Sequence, residues 1–414
     1  MPSRYLTRSL VKERLFHLIL FAALVIFLPT SALASDGDIS SSKGFSHLSY
    51  SGNYNPQGLP DLLSTKWDKK IGGPNRFQGI PQLNPSSPLI IGDTLYVGSS
   101  IGIFHAYSLG SGKSLWSFDA GSAVHAPAAY GNMICFGTSG GKLFCLDRVS
   151  GVELFNYSIT SSISSAPVID SERIYLISSK NRLHALNLTD GKKLWTYSQR
   201  NRLELAPRFI NSPSQSKDKL FVLLSNGVLV AIEKATGKEL WQRTILKGKG
   251  PWLGTRKSAT YLKGNLYIID SSGALLVLDA GTGSLRVVFN VVEAVDFIVT
   301  DESIIIASTE ELISISRASG SVVWIEALEP AASNRIFGAG KHIYVVSVNE
   351  RDPVYLAYVM RKKSVLNAYT IDDGTFIWKR KYKSSVSADI AVASDHLAIL
   401  TDKGRLYVLG DKDE

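Results

Sequence analysis

Gly112-Lys113-Ser114-Leu115-Trp116 is a short phrase that this chain repeats. A glycine followed four positions later by an aromatic residue, or its stand-in, returns at Gly151 and Phe155, Gly191 and Trp195, Gly237 and Trp241, Gly283 and Val287, Gly320 and Trp324, and Gly374 and Trp378. Successive glycines stand 39, 40, 46, 46, 37 and 54 residues apart. Repeats of this length in a strand-rich sequence mean a propeller or a solenoid.

The unit around Trp116 shows the design. Short β-branched and aromatic runs predict strands at Leu89–Ile91, Thr94–Gly98, Ile103–Ser108 and Ser114–Asp119, separated by turns at Gly92-Asp93, at residues 99–102 and at Gly110-Ser111-Gly112. Ala126-Pro127, Ala166-Pro167 and Ala206-Pro207 open the next three units, where a proline at a strand's first residue removes no ladder hydrogen bond. The motif glycine is expected to take a positive φ in the third hairpin. The ring at Trp67, Trp116, Phe155, Trp195, Trp241, Trp324 and Trp378 is expected to lie against the neighbouring sheet.

Counting strands gives a closure argument. After Trp378 the chain has strand patterns at residues 390–393, 397–400 and 405–409, and a fourth is missing. Far upstream, residues 64–71 form a lone strand of the fourth type, with Trp67 in place. Joining the two gives an all-β, eight-bladed propeller of four-stranded antiparallel blades, with no open edge at the seam. Seven blades or an open array is the competing reading. A solenoid would need neither the stray strand nor the gap.

Residues 1–34 read as a signal peptide: Arg4, Arg8, Lys12 and Arg14 precede a 13-residue apolar run at 16–28 and the small-residue site Ala32-Leu33-Ala34. The run is short of the roughly 20 residues a spanning helix needs. Cleavage after Ala34 would leave a mature chain with no transmembrane span, and take the formal charge from +9 to +6 by removing four basic residues and Glu13. That balance implies no nucleic-acid partner. Residues 35–63, rich in Ser, Gly, Asp, Asn and Pro, read as a flexible leader, residues 64–410 as one propeller domain and 411–414 as a tail. A monomer in the periplasm is expected.

The two cysteines, Cys135 and Cys145, flank Ser139-Gly140-Gly141 at equal distance from residue 140. Directly opposed residues are the closest pairs in a ladder. In an oxidising compartment they would form a cross-strand disulfide; two buried small hydrophobes is the alternative. No CxxC, phosphate loop or HExxH is present, and no strand-to-helix nucleophile elbow is read from the sequence. The histidines at 105, 125, 184, 342 and 396 lack metal-ligand spacing, and His105 and His184 share one repeat position, which points to packing. Asp301-Glu302 and Glu310-Glu311 read as exposed turn residues. No catalytic, cofactor-binding or metal residues are assigned.

The segments 106–116, 185–195 and 231–241 carry the form Ala-x-(Asp/Asn/Glu)-x-x-(Thr/Ser)-Gly-Lys-x-x-Trp, or close to it. They resemble the pyrroloquinoline-quinone-type propeller repeat, and the single-domain layout is similar to the BamB family of accessory proteins in outer-membrane β-barrel assembly. Quinoprotein dehydrogenases share the repeat. That branch implies a quinone over the axis, a Ca²⁺ held by carboxylates and amides, a catalytic Asp and often a disulfide between adjacent cysteines; this chain has no such pair. Trp252 would suit stacking on a flat cofactor or an exposed contact. The BamB branch implies a lipoprotein, but no Cys follows Ala34. In that family a mid-propeller loop with an Arg two residues before a Glu, then Ala-Pro, contacts the barrel-assembly protein, and Arg202-Leu203-Glu204-Leu205-Ala206-Pro207 stands in that place. The next loop, paired Asp in the family, is residues 247–257 here and has no Asp.

In a propeller the interblade loops and the loops joining strands two and three share one face. That face should carry Arg200, Arg202 and Glu204, then Lys247, Lys249, Trp252, Arg256 and Lys257. It should also carry the long blade 7 insertion with Tyr355, Tyr358 and Met360. Arg and aromatic residues are enriched in protein interfaces, and loops on a rigid scaffold carry function; a solvated rim is the bland alternative. The resulting expectation is a non-enzymatic scaffold without cofactor that docks envelope proteins, most specifically a barrel-assembly protein, and is peripheral to the outer membrane in that role. A quinoprotein oxidoreductase or quinone sensor, and a scaffold for secretion or electron transfer, are the alternatives.

Overall fold

The computed structural model describes residues 54–55, 59, 61–72, 86–199, 212–246, 258–291, 293–331, 333–349, 363–386, 389–393 and 395–411. They form eight antiparallel sheets, each built around four strands in consecutive order. Blade 1 is Leu89–Ile91, Thr94–Gly98, Ile103–Ser108 and Ser114–Asp119, as the turn residues predict. Blade 8 is Ala391–Ala393, His396–Leu400 and Arg405–Asp411, completed on its outer edge by Leu63–Lys70. In that clasp Leu63 pairs with Asp411 and Lys70 with Arg405, so residues some 340 apart in sequence share a ladder.

Eight separate apolar clusters fill the eight interfaces between neighbouring blades. Blades 8 and 1 share one built from Ile90, Leu95, Val97, Leu400, Leu406 and Val408. Blades 7 and 8 share another, with Phe337, Tyr344, Leu397 and Ile399. An open row of eight blades would have seven interfaces. The eighth cluster is the physical signature of closure, because it covers the two faces that an open end would leave wet.

The repeated glycine and aromatic residue meet across these interfaces, not within a blade. At Gly112, φ is 67° and an added Cβ would come within 2.7 Å of the Trp67 ring of blade 8. Gly151 meets Trp116, Gly191 meets Phe155, Gly237 meets Trp195, Gly283 meets Trp241 and Gly374 meets Trp324 in the same way. Each indole also donates its Nε1–H to a carbonyl of the following blade: Trp67 to Leu109 (2.6 Å), Trp116 to Arg148 (3.2 Å), Trp195 to Lys234 (3.0 Å), Trp241 to Ala280 (3.2 Å) and Trp324 to Ile371 (3.0 Å). Blade 5 departs from the pattern. Val287 is too small to cover Gly320, and the nearest side-chain atom there belongs to Phe289, two residues on and on the same face of the strand.

Two details differ from the expectation. Blade 2 opens at Val124, so Pro127 lies inside the first strand, beside a register shift between Val124 and Pro127. That strand is the innermost of its sheet, with a free edge on the channel side, so the missing N–H breaks no pair. Upstream of the clasp, Tyr54–Asn55 pairs in parallel with the innermost strand of blade 7 at Gly338 and Ala339, and Leu59 is buried between blades 7 and 8. The apolar Leu59 supplies a burial that the polar composition around it conceals.

Cys135 and Cys145 stand opposite each other in the ladder of blade 2, with Cα atoms 4.1 Å apart, and are joined by a disulfide.

Candidate partner-binding face

The face bearing the interblade loops is held rigid by a device that recurs from blade to blade. The residue that ends or follows the second strand bends back over the turn. Ser99, Thr138, Ser308 and Thr401 hydroxyls donate to the carbonyls of Ile103, Lys142, Glu311 and Arg405 at 2.9, 3.0, 3.3 and 3.1 Å. In blade 5 Asp270 does the work with its carboxylate, accepting from Ser272 and Ala274 N–H. Ser and Asp in such turns satisfy backbone groups that strands leave open. The sequence carries this signal as a polar residue at the end of most second strands, with Leu224 of blade 4 the exception, and the motif glycine overshadowed it.

All ten residues expected to contact a partner (Arg200, Arg202, Glu204, Lys247, Lys249, Trp252, Arg256, Lys257, Tyr355 and Tyr358) lie outside the described residues. Their flanks are described. Gln199, at the base of the first loop, accepts from Asn226 at 2.6 Å and donates to Gln242 at 2.8 Å. Asn181, with φ of 55°, bonds Ser225 through both its side-chain amide and its oxygen. Blades 3 and 4 are therefore stitched together under that loop by amides that sequence reasoning missed. At the second loop, Ile245 and Leu246 both donate backbone N–H to Gly227 O, and Tyr261 on the far side stacks on Phe221 at 5.6 Å. At the third, the second and third strands of blade 7 run to eight residues each, His342–Asn349 and Lys363–Thr370, and Asn349 pairs with Lys363. The blade 7 insertion therefore does join strands two and three.

The mouth of the central channel on this face is polar and internally paired. Arg335 forms an ion pair with Asp389, whose N–H donates to Ser87 at 3.1 Å. Asp296 accepts from the backbone N–H groups of Phe297 and Ile336. Asn334 donates to the carbonyls of Ser308 and Thr309. Among the described residues, no group of three or more His, Cys, Asp or Glu is placed to hold a metal ion.

Three of the histidines are largely buried. Burial pulls His105, His125 and His184 down to about 4; Lys69 adds to the effect at His105, and Arg182 and Lys193 add to it at His184. His125 meets Ser139 at 3.0 Å, and His184 meets Tyr157 at 3.3 Å. A buried ion pair lies between blades 3 and 4: Lys234, 7% exposed, reaches Asp170 at 3.2 Å. Burial lowers the Lys234 ammonium more than Asp170 raises it. Burial alone would raise Asp170, but Glu172 and Arg173 N–H and the ammonium bring it below its ordinary value.

Residues 102–326, more than half of the chain, match the family model described as outer membrane protein assembly factor BamB. The chain belongs to the BamB family. Local alignments agree with that. BamB of Nitrosomonas eutropha is 28% identical over 111 residues, covering 27% of each chain. A tetrathionate hydrolase of Acidithiobacillus ferrooxidans is 28% identical over 130 residues, covering 30% of this chain and 25% of that one. The alignments span about a quarter to a third of the length of the curated relatives. Among solved structures, BamB from Moraxella catarrhalis superposes with a TM-score of 0.67 at 17% identity, over 84% of this chain and all (100%) of that one. A quinohemoprotein alcohol dehydrogenase from Pseudomonas putida HK5 superposes at 0.62 with 11% identity, over 87% and 78%. At those identities the structural likeness is one of fold.

Proposed function

We propose that this BamB-family chain is an exported, non-enzymatic propeller that docks envelope proteins, and that its specific role is in assembling outer-membrane β-barrel proteins. The family match over residues 102–326 carries the reading. The geometry supports the mechanism: eight closed interfaces and tied turns present the loops on a frame that loses little freedom when a partner binds. Arg202 and Trp252 are the proposed anchors, with Tyr358 on the blade 7 insertion. The partner is a barrel-assembly protein, and the place is the periplasm, against the outer membrane.

Photo-crosslinkers at positions 202, 252 and 358 in living cells test this. Crosslinks to the periplasmic part of a barrel-assembly protein support it. Crosslinks to a different envelope complex keep the scaffold and discard the assembly role. With no protein crosslinked, the docking reading fails, and titration with quinone and Ca²⁺ becomes the next experiment.

A further inference from the structure

The formal charge of this chain is unevenly placed on the wall of the ring. Where the clasp strand closes blade 8 against blade 7, cations gather at the upper outer edge. Arg405 pairs with Lys70 in the ladder, and Ile71 donates its N–H to Gly404 O at 2.9 Å, which sets Lys403 beside them. Arg380 of blade 7 donates to Thr65 at 3.1 Å, next to Lys66. Asp402 N–H donates to Ser385 O at 2.8 Å, tying the segment after Lys383 to the same corner. Five of these cations gather near that corner, and Lys66 lies lower on the same clasp strand, its side chain over Gly410. Two carboxylates lie among them: Asp68, engaged by Arg405, and Asp402, bonded to Ser385. Among the described residues, no carboxylate lies within ion-pair distance of Lys66, Lys70, Lys383 or Lys403.

Lysines on a free edge strand can serve only to deter strand pairing. That accounts for Lys66 and Lys70, which lie on the clasp. It does not account for Lys403 in a turn, Arg405 on a paired strand or Lys383 beyond the end of a neighbouring blade. The patch also ends abruptly. The next wall, blade 6, carries Glu302, Glu310, Glu311 and Glu326, and Glu329 is engaged by Lys379.

We infer that this wall binds a phosphate-bearing anionic lipid surface. Four of the six cations are Lys, the type depleted at protein interfaces where Arg is enriched. Basic clusters that seat proteins on anionic bilayers need only charge near the surface, which Lys supplies. The patch runs down the outer wall from the rim of the loop-bearing face, where Lys403 sits in the turn between the second and third strands of blade 8 and Lys383 follows the outer strand of blade 7. The inference does not depend on the identity of any protein partner.

The test is co-sedimentation of the full chain with phosphatidylglycerol vesicles and with neutral phosphatidylcholine vesicles. The readout is the excess of binding to the anionic ones, compared between variants that share the same N-terminal segment, because the basic Arg4, Arg8, Lys12 and Arg14 would themselves favour anionic vesicles. The excess should be large in low salt and disappear near 1 M, where the screening length is about 3 Å. Each removed cation should cost about fivefold, the equivalent of ~1 kcal/mol, so the quadruple variant Lys66→Glu, Lys70→Glu, Lys383→Glu, Lys403→Glu should lose the excess. The same change at Lys180, Lys192, Lys217 and Lys238, exposed on blades 3 and 4, should leave most of it. Lys→Gln at the first four positions should give an intermediate loss with an unchanged melting curve. No anionic excess in the wild type overturns the inference. So does equal loss in both quadruple variants, which would mean bulk charge alone, or binding to an acidic polypeptide such as polyglutamate with none to vesicles.

Discussion

The indole of Trp67 lies over Gly112 and donates its N–H to Leu109 O at 2.6 Å, so a residue of the N-terminal clasp closes the ring against the first blade of the continuous chain. The same lock recurs around the molecule, but only here does it join the two ends of the propeller. Loss of the Trp67 ring should therefore do more than open a cavity. Trp67→Ala is expected to cost about 3 kcal/mol and to promote association through the edge exposed at Arg405–Asp411. Urea melts and light scattering compare it with Trp195→Ala, which should lose similar stability without associating. Equal association in both would remove the special role of the seam.

Substitution of the motif glycine is the reciprocal experiment. At Gly237 an added Cβ would come within 2.6 Å of the Trp195 ring, at a φ of 75°. Gly92 has φ of 54° with nothing within 4 Å of its Cβ. Gly92→Ala should cost about 1 kcal/mol from backbone strain alone, and Gly237→Ala clearly more. Denaturant midpoints decide. Equal losses would mean that the glycine serves the turn and not the ring.

The disulfide closes a loop with a sequence separation of 10. A loop of that size is worth up to about 3 kcal/mol through restriction of the unfolded chain. Reductant should lower the urea midpoint of the wild type by that order. The Cys135→Ala, Cys145→Ala variant should sit near the reduced wild type and ignore reductant.

Acid should weaken the fold through its histidines. His125 is held at about 4 in the folded chain against an ordinary 6.5, so the unfolded state binds more protons between those values. Stability is full above about 6.5 and falls as pH drops toward 4. His105 and His184 act in the same direction. Thermal melts from pH 7.5 to 4.5 should show the fall, and His125→Gln should flatten it. A melting temperature that rises on acidification would contradict the burial assigned to these rings.

Much of the fold was legible because its signals are local. The four strands of blade 1 and the glycine–aromatic spacing are read from runs of a few residues and from turn chemistry. Even the clasp was legible, as a surplus strand at one end and a deficit at the other. Phe289 covering Gly320 was not, because Val287 occupies the motif position and only the register shows which ring reaches the gap. Nor was a two-blade alternation. Tyr96, Tyr175 and Tyr267 of odd blades meet Arg148, Lys234 and Arg317 of the following even blades, Tyr96 by donating to the Arg148 carbonyl and the others through ring or hydroxyl contact with the basic side chain. Those partners are about 50 residues apart, and no local pattern couples them. The proposed anchors Arg202 and Trp252 rest on sequence and family likeness alone.

Sequence by itself pointed to eight blades over seven, placed the strands of blade 1 and set Cys135 opposite Cys145, since hairpins obey short-range geometry. Tertiary structure alone decided how the blades meet. Which ring covers which glycine, which cation enters the interface between blades 3 and 4, and where Lys70, Lys403 and Lys383 meet all depend on closing the ring, because closure brings residues 70 and 403 together although they lie at opposite ends of the chain.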